Sequence, residues 1–382
     1  MSEQVTVSSS SEIVQTQSST VSTTLNTNQI VKLPLTSRSA MDFVNLLPGV
    51  STPGGNRNAT INGLPQGVIN ITLDGVNIQD NTLKTGDGFF AIVSPRLDAI
   101  EEVTVTTASQ GVDSSGQGAV QIKFVTRSGT NAFTGSGYHY YRNDALNANN
   151  WFNNRNGIEK TDLLQNQAGF RVGGPIVFPG LFDGHNKAFF FVNYEEFHQP
   201  GGTTRNRTIL NPQAQQGLFS YQTSSGVRSV NVLDLAASRG QLATVDPTVA
   251  ALLTDIRGAT GQAGAITGDI DPNLQRYSFN VDTQSVRRYP TVRVDYNLTS
   301  ANRISASYNY QKFTDYPDTL NSREQRFPGF PVAAGQSSIR KGFSTSLRST
   351  LASSLVNEGR FGYSGAPVTF FGELTPDMSF TT

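Results

Sequence analysis

The amino-acid sequence predicts an α+β domain followed by part of an antiparallel transmembrane β-barrel. From Phe133 onward, apolar and polar residues alternate in several segments, which is the period of a β-strand. Hydrophobic residues make up only 36% of the chain, although it contains 23 Phe and 12 Tyr. This combination is typical of barrel strands, because only one of their faces is apolar.

The composition excludes several classes of protein. The formal net charge is zero and charged residues make up 15%, so the basic footprint of a nucleic-acid-binding protein is absent and we expect no nucleic-acid partner. Cysteine is absent, which excludes disulfides and cysteine-based sites. No apolar run approaches the ~18 residues of a membrane-spanning helix. The polar start lacks the features of a secretory signal, so we expect the natural amino terminus to lie further upstream.

Residues 1–29 are rich in Ser, Thr, Gln and Asn, and we predict a flexible amino-terminal arm because they have little to bury. Within the arm, Glu3–Ser8 alternates polar and apolar residues and is competent to form a strand. An inert linker, or the tail of a missing upstream domain, is the alternative interpretation.

Residues 30–131 predict a compact α+β domain of ordinary size. A helix is expected where Ser37 caps the start, Met41 and Val44 recur at helical spacing and Pro48-Gly49 ends it. Strands follow over 59–62 and 70–73, the second ending in an Asp74-Gly75 turn. Two more strands, one that begins at Ile100 and one over 119–127, flank a loop of Ser, Gly and Gln.

Residues 132–382 predict the amino-terminal part of the barrel. Alternating segments place Val292, Val294 and Tyr296 on one face and charged residues on the other, as expected for lipid outside and water inside. Residues 297–302 form a short polar turn of the periplasmic type. A connection of about ninety residues, about 198–288, predicts a long extracellular loop with a helix near Asp246-Pro247 to Arg257.

Several motifs in order resemble TonB-dependent outer-membrane receptors, and more narrowly their Oar-like group. The resemblance covers nearly all of the chain from about residue 3 onward. The motifs are 33–38 (with Thr36-Ser37 departing from the usual Asn-Gly), 47–50, 62–63, 73–76, 125–131, 141–148, 173–176, 189–195 and 293–296. Each motif alone is weak, and their shared order carries the resemblance.

The resemblance implies a plug domain inside an outer-membrane barrel of a Gram-negative bacterium, with membrane lipid around it. It also implies an inner-membrane partner, TonB, that grips an amino-terminal box. The box candidates here are Glu3, Gln4, Val5, Thr6, Val7 and Ser8. Candidates for substrate contact at the plug apex are Asn56, Arg57, Lys84, Asp87 and Phe89. About seven of an expected 22 strands are present, so we expect the chain to be a fragment of such a receptor.

Chemistry-bearing motifs are not evident, and we expect no enzymatic activity, no cofactor and no metal site. His139, His185 and His198 lack partners at metal-ligand spacing. Asp269 and Asp271 lack the full ligand set of a calcium loop, so a plain loop is favoured. No phosphate-binding loop or nucleophile elbow is found.

A cluster of aromatic residues allows two interpretations. It comprises Tyr138, Tyr140, Tyr141, Trp151 and Phe152. Rings in this position stack on sugars in some barrels, but a membrane-interface girdle or a structural role is the favoured interpretation.

Two functions fit the sequence. The first is a receptor that imports a bulky substrate, namely an oligosaccharide, a peptide or a metal chelate. The alternative is an outer-membrane surface or adhesion protein that uses the same scaffold without import. A soluble β-rich binding module or hydrolase is disfavoured, because catalytic groups are missing and apolar stripes are long. The ligand itself is not encoded in any readable motif.

Overall fold

The computed structural model describes residues 21–26, 38–46, 49–51, 60–64, 69–80, 91–108 and 120–372. The amino-terminal part contains these elements: β1 Val21–Asn26, a 3-10 helix Ala40–Leu46, β2 Val50–Ser51, β3 Thr60–Ile61, β4 Ile69–Leu73, β5 Val76–Asn77, a 3-10 helix Leu97–Ala99, β6 Ile100–Ala108 and β7 Val120–Thr126. It forms a five-stranded sheet in the order β1-β6-β7-β4-β5, in which only β4 and β7 run parallel.

The core of this plug domain lies between its sheet and the first 3-10 helix. Strand β4 is buried along its whole length, and the helix buries Met41, Phe43 and Val44. A helix was predicted here from the spacing of Met41 and Val44, and the structure has a 3-10 helix in which both residues are buried. The Asp74-Gly75 turn is confirmed, with φ of 49° and 79°. Both values lie in the left-handed region, which glycine and Asp tolerate best.

Strand β1 corrects the predicted extent of the flexible arm. Residues 21–26 were assigned to the arm, whereas they pair antiparallel with β6 at the edge of the plug sheet. The segment Val-Ser-Thr-Thr-Leu-Asn is rich in β-formers, and an edge strand does not need a continuous apolar face. The polar composition of residues 1–29 obscured this strand.

The remainder of the chain forms a ten-stranded sheet, the wall, together with short helices and hairpins. Its elements are β8 Thr134–Asn143, a 3-10 helix Asp144–Leu146, α1 Trp151–Arg155, β9 Leu164–Pro175, β10 Val177–Phe178, β11 Phe182–Asp183, β12 Ala188–Leu210, α2 Pro212–Gln215, β13 Leu218–Thr223, β14 Gly226–Asn231, α3 Val232–Ser238, α4 Pro247–Ala259, β15 Ala265–Gly268, β16 Leu274–Arg288, β17 Thr291–Asn297, β18 Asn302–Tyr316, β19 Gly335–Ala352, β20 Leu355–Gly365 and β21 Val368–Phe371.

The wall is an antiparallel meander in the order β8-β9-β12-β17-β18-β19-β20. These seven strands confirm the predicted partial barrel. Strands β16 and β17 together oppose β12 and are separated by Tyr289-Pro290, where proline supplies no N–H to the ladder. The Tyr289 N–H still donates to the Glu195 carbonyl at 2.8 Å, so the strand continues across the interruption.

The alternation of the wall has the predicted sense. Val292, Val294 and Tyr296 are more than a third exposed on the outer face, whereas Asp295 on the inner face is fully buried. Among the described residues, none of the helices has the length and apolar character needed to cross a membrane.

The predicted connection over 198–288 is shorter in the structure. Strand β12 continues to Leu210 and pairs with β16 from Leu274, so the connection between the two strands covers only 211–273. The extended part of this hairpin carries polar residues on both faces, which hid its strand period. Helix α4 was correctly predicted: the Asp246 carboxylate caps it by accepting from the N–H groups of Thr248 and Val249.

A second connection, 317–334 between β18 and β19, is fixed to β12 by Arg205 and Arg207, which bind the Glu324 carboxylate and the carbonyls of Thr319 and Arg326. Glu324 is almost fully buried and binds Arg205 at 3.0 Å and Arg207 at 2.8 Å. Burial alone would raise the pKa of Glu324, but the hydrogen bond from Arg207 and the charge of Arg205 outweigh burial and hold the pKa below its ordinary value of 4.5.

Lowering the pH should therefore loosen residues 317–334. Because the folded pKa of Glu324 lies below the unfolded one, its contribution is fully present above about pH 4.5 and is lost as pH falls through the folded pKa. We expect hydrogen exchange in 317–334, corrected for intrinsic rates, to be faster at about pH 3 than at about pH 7. In Glu324→Gln this difference should vanish. Equal protection at both pH values in the native chain would contradict the assignment.

The turn that joins plug and wall allows no side chain at Gly129. A Cβ there would lie 2.3 Å from the Phe190 carbonyl oxygen and 2.8 Å from that of Gly174, and neither backbone atom can rotate away. We expect Gly129→Ala to lower the free energy of unfolding by about 1–3 kcal/mol, measured by denaturant titration in detergent micelles. Gly268→Ala is the control, because its Cβ would meet nothing within 4 Å. Equal stability of both variants would refute the close approach of Gly129 to the Phe190 and Gly174 carbonyl oxygens.

Candidate functional site at the plug–wall interface

A buried carboxylate on the inner face of the wall binds two arginines of the plug. Glu195 on β12 is fully buried. Arg96 Nε donates to Glu195 Oε1 at 2.7 Å, and Arg38 Nε lies 3.6 Å from Oε2. Arg38 also pairs with Asp98 of the plug. Two cations and two carboxylates balance each other, as burial of charge requires.

Wall residues complete this group, which we call the Glu195 cluster (Arg38, Arg96, Asp98, Tyr138, Gln167 and Glu195). The Tyr138 hydroxyl donates to Glu195 Oε2 at 2.5 Å, and Gln167 Nε2 donates to Oε1 at 2.9 Å. The Arg38 guanidinium lies 4.1 Å from the Tyr138 ring centroid. Burial alone would lower the pKa of Arg96, but Glu195 outweighs burial and raises it, so Arg96 stays charged.

A second group, the Asp74 cluster (Asp74, Thr126, Ser128, Arg293, Asp295 and Ser307), lies at the turn after β4. The Asp74 carboxylate accepts from the Thr126 N–H at 2.8 Å within the plug and from the Ser307 hydroxyl at 2.6 Å on the wall. Arg293 donates to Asp295 at 3.0 Å and to the Thr126 carbonyl at 2.5 Å. Ser128 donates to Asp295 at 2.7 Å. The turn is thus bonded to both domains.

Apolar burial does not bridge the two domains among the described residues. The plug core is drawn from residues between Ala40 and Phe124, and a separate wall cluster is drawn from residues between Ile209 and Phe330. A cavity of about 460 Å³ lies between the plug and the wall, lined by plug residues such as Thr72 and by wall residues such as Ser344. The interface is therefore held chiefly by polar bonds and contains open space.

The residues predicted as the site lie outside the described residues. This applies to Glu3, Gln4, Val5, Thr6, Val7 and Ser8 and to Asn56, Arg57, Lys84, Asp87 and Phe89. Among the described residues, no group of three or more His, Asp or Glu side chains is placed to hold a metal ion. The structure brings together other residues instead.

Part of the interface was visible in the sequence motifs. Arg38, Asp74, Glu195, Arg293 and Asp295 all fall within segments that resemble the receptor family, although no role was assigned to them. Arg96 and Gln167 were missed. In the sequence, each of these two residues is a charged or amide residue on the polar side of an alternating segment or beside a turn. Many solvated residues share that feature, so it does not identify an interface residue.

Residues 125–380 match the family model described as outer membrane beta barrel domain, and residues 2–121 match the TonB-dependent receptor plug domain. The chain belongs to the outer-membrane β-barrel family. Its plug domain marks it as a TonB-dependent receptor, in which the Glu195 and Asp74 clusters join plug to barrel wall. No curated protein matches the sequence.

Solved structures show the same fold at low identity. A mutant of the ferric enterobactin receptor PfeA from Pseudomonas aeruginosa is 10% identical, with a TM-score of 0.50 over 90% of this chain and 40% of its own. The outer membrane transporter YddB from Escherichia coli is also 10% identical, with a TM-score of 0.51 over 87% of this chain and 37% of its own. The chain thus spans about two fifths of the length of these structures.

Loss of the Glu195 carboxylate should destabilise the plug–wall interface. Glu195→Ala leaves Arg96 buried without its partner, which costs about 3–5 kcal/mol, measured by urea unfolding in detergent micelles. Glu196→Ala is the matched control on the opposite face of the same strand. Its pair with Arg288 is at 3.2 Å with both side chains at least a third exposed, and such pairs contribute about 0–1 kcal/mol.

A second variant separates charge from packing. In the double variant Glu195→Met and Arg96→Met, no unpaired charge remains at this contact, so stability should recover much of the loss. Equal destabilisation by Glu195→Ala and Glu196→Ala would contradict the central role of Glu195.

Proposed function

We propose that this chain acts in TonB-dependent import of a bulky substrate, namely an oligosaccharide, a peptide or a metal chelate, across the outer membrane of a Gram-negative bacterium. We further propose that it belongs to the Oar-like group and that it transports rather than catalyses. The observation that carries the proposal is the largely polar interface that joins the plug to the wall.

Such an interface suits a plug that must move away from its position against the wall. When charged groups of the plug and the wall separate, water replaces each protein partner. The net free-energy cost of separating them is therefore small. Parting an apolar interface would instead expose surface at about 25 cal/mol per Å². Movement of the whole plug therefore costs less than opening its core.

In this proposal, TonB binds the amino-terminal arm and pulls on it. Glu3–Ser8 is an alternating segment that can add as a strand to the sheet edge of TonB, where backbone hydrogen bonds provide grip. Downstream, β1 pairs with β6 at the edge of the plug sheet. A pull on the arm would reach the plug through this edge strand.

Deletion of residues 3–8 should abolish binding of the periplasmic domain of TonB to the full chain, measured by surface plasmon resonance. Deletion of residues 15–20 is the matched control, because it shortens the same Ser-rich arm by the same length and leaves the box intact. Equal binding by the two deletions would exclude Glu3–Ser8 as the box. If TonB does not bind the native chain while cells still attach to surfaces through it, the adhesion alternative replaces import.

A further inference from the structure

A second cavity, of about 630 Å³, lies away from the plug–wall interface. It is enclosed by the connection between β8 and β9, by Gly202–Asn206 of β12 and by Arg276 and Ser278 of β16. Its volume lies within the roughly 300–1,000 Å³ of small-molecule sites.

The cavity lies beyond the membrane-spanning part of the wall. Strand β12 begins at Ala188, beside the short 297–302 turn, and Thr204 follows 16 residues later (204 − 188). A tilted barrel strand needs only ~9–11 residues to cross the hydrocarbon core. The cavity is therefore on the side opposite the short turns, where an external ligand arrives.

Side-chain amides dominate the lining, which includes six asparagines: Asn147, Asn149, Asn150, Asn153, Asn156 and Asn206. Asn149 Nδ2 donates to the Ile158 carbonyl at 2.9 Å, and Asn153 Nδ2 donates to Thr204 Oγ1 at 2.7 Å. Asn206 Oδ1 accepts from the Ser278 hydroxyl at 2.6 Å. Each of these three amides is fixed through one atom, and its other polar atom has no side-chain bond among the described residues. Fixed amides of this kind offer a donor or an acceptor to a ligand.

The charges of the cavity balance. Lys160 is bound to Asp144, with Nζ 3.2 Å from Oδ2. The remaining charged lining residues are one cation, Arg276, and one carboxylate, Asp162. By contrast, the plug–wall cavity is lined by five Lys or Arg and two Asp or Glu residues. An uncharged ligand with many hydroxyls fits the amide-rich cavity better than an ion does.

One aromatic ring lines the amide-rich cavity, and a second ring packs against the first. Phe152 lines the cavity, and the Trp151 ring meets Phe152 edge-on with centroids 5.0 Å apart. Their exposed fractions are 66% and 62%, which is high for such large apolar side chains. Apolar ring faces beside hydrogen-bonding amides match a pyranose, which has C–H faces and a rim of hydroxyls. Peptides are usually recognised at strand edges or in apolar grooves, and amides dominate this lining instead.

We propose that this cavity binds a neutral oligosaccharide, with Asn149, Asn153 and Asn206 contacting hydroxyls and Phe152 stacking on a sugar ring. Of the five aromatic residues in the sequence cluster, Tyr138 and Tyr140 contact Arg38 at the plug interface, whereas Phe152 lines the cavity. Binding at the cavity stands by itself, whereas its use in import rests on the proposed receptor function.

Trp151 is the only tryptophan of the chain, so its fluorescence reports on this site. The full chain in detergent micelles is titrated with maltohexaose, cellohexaose and xylohexaose. We expect a saturable fluorescence change for at least one, with a dissociation constant on the order of 0.1–1 mM. Asn153→Ala combined with Asn206→Ala should weaken binding about tenfold or more, the loss expected for two hydrogen bonds.

Calorimetry provides the readout for the ring, because Phe152→Ala also changes the surroundings of Trp151. Phe152→Ala should weaken binding, and Tyr221→Ala, from the exposed stacked pair Phe219–Tyr221 on the β13–β14 hairpin, is the matched control. Circular dichroism and unfolding midpoints confirm that each variant is folded.

Three results would overturn the proposal. They are the absence of saturation by all three sugars up to ~10 mM, equal affinities in the native chain and both site variants, and equal or tighter binding of hexa-alanine. Uptake of the bound sugar by cells is measured separately with the 3–8 deletion. If sugar binding persists and uptake does not depend on residues 3–8, the site stands and the import proposal fails.

Discussion

The fold depends on one constraint, which is that the fully buried carboxylate of Glu195 must keep cationic partners. A carboxylate on the inner face of a wall strand is tolerable only when charges and hydrogen bonds compensate its lost hydration. Arg96, Arg38, Tyr138 and Gln167 supply them, the first two from the plug. Wall and plug therefore specify each other, because neither can bury its half of the cluster alone.

Most other contacts across the interface are polar as well. A wall with an apolar outer face and an apolar inner face would fuse with the plug core into one cluster. Instead, Ser307, Ser344 and Ser364 bond plug backbone or side-chain oxygens, and Arg340 donates to the Ile92 carbonyl. Such contacts give specific registration between plug and wall without the large apolar burial that would make separation prohibitive.

Sequence reasoning recovered what local pattern encodes. Alternation located the wall strands, Asp74-Gly75 marked a turn, and Asp246 with Pro247 marked the start of α4. Sequence reasoning failed for runs of polar residues, because such runs occur both in loops and in strands. Polar residues of β1 pair as an edge strand, and β12 runs on to Leu210 without an apolar face. Arg96 was missed because its partner Glu195 is 99 positions away, and sequence spacing carries no information about that contact.

The two cavities differ in the charge and the hydrogen-bonding groups of their lining residues. The plug–wall cavity is rich in arginine, and two of its cations, Arg293 and Arg303, bind Asp295 on the wall. The amide-rich cavity has balanced charge and fixed hydrogen-bonding groups, and it lies about a strand length further along β12. Amides fixed through one atom are preorganised, so a ligand there would not bear the cost of ordering them. The residues that hold the plug and the amides of the proposed sugar site are thus separate, so either set can change without disturbing the other.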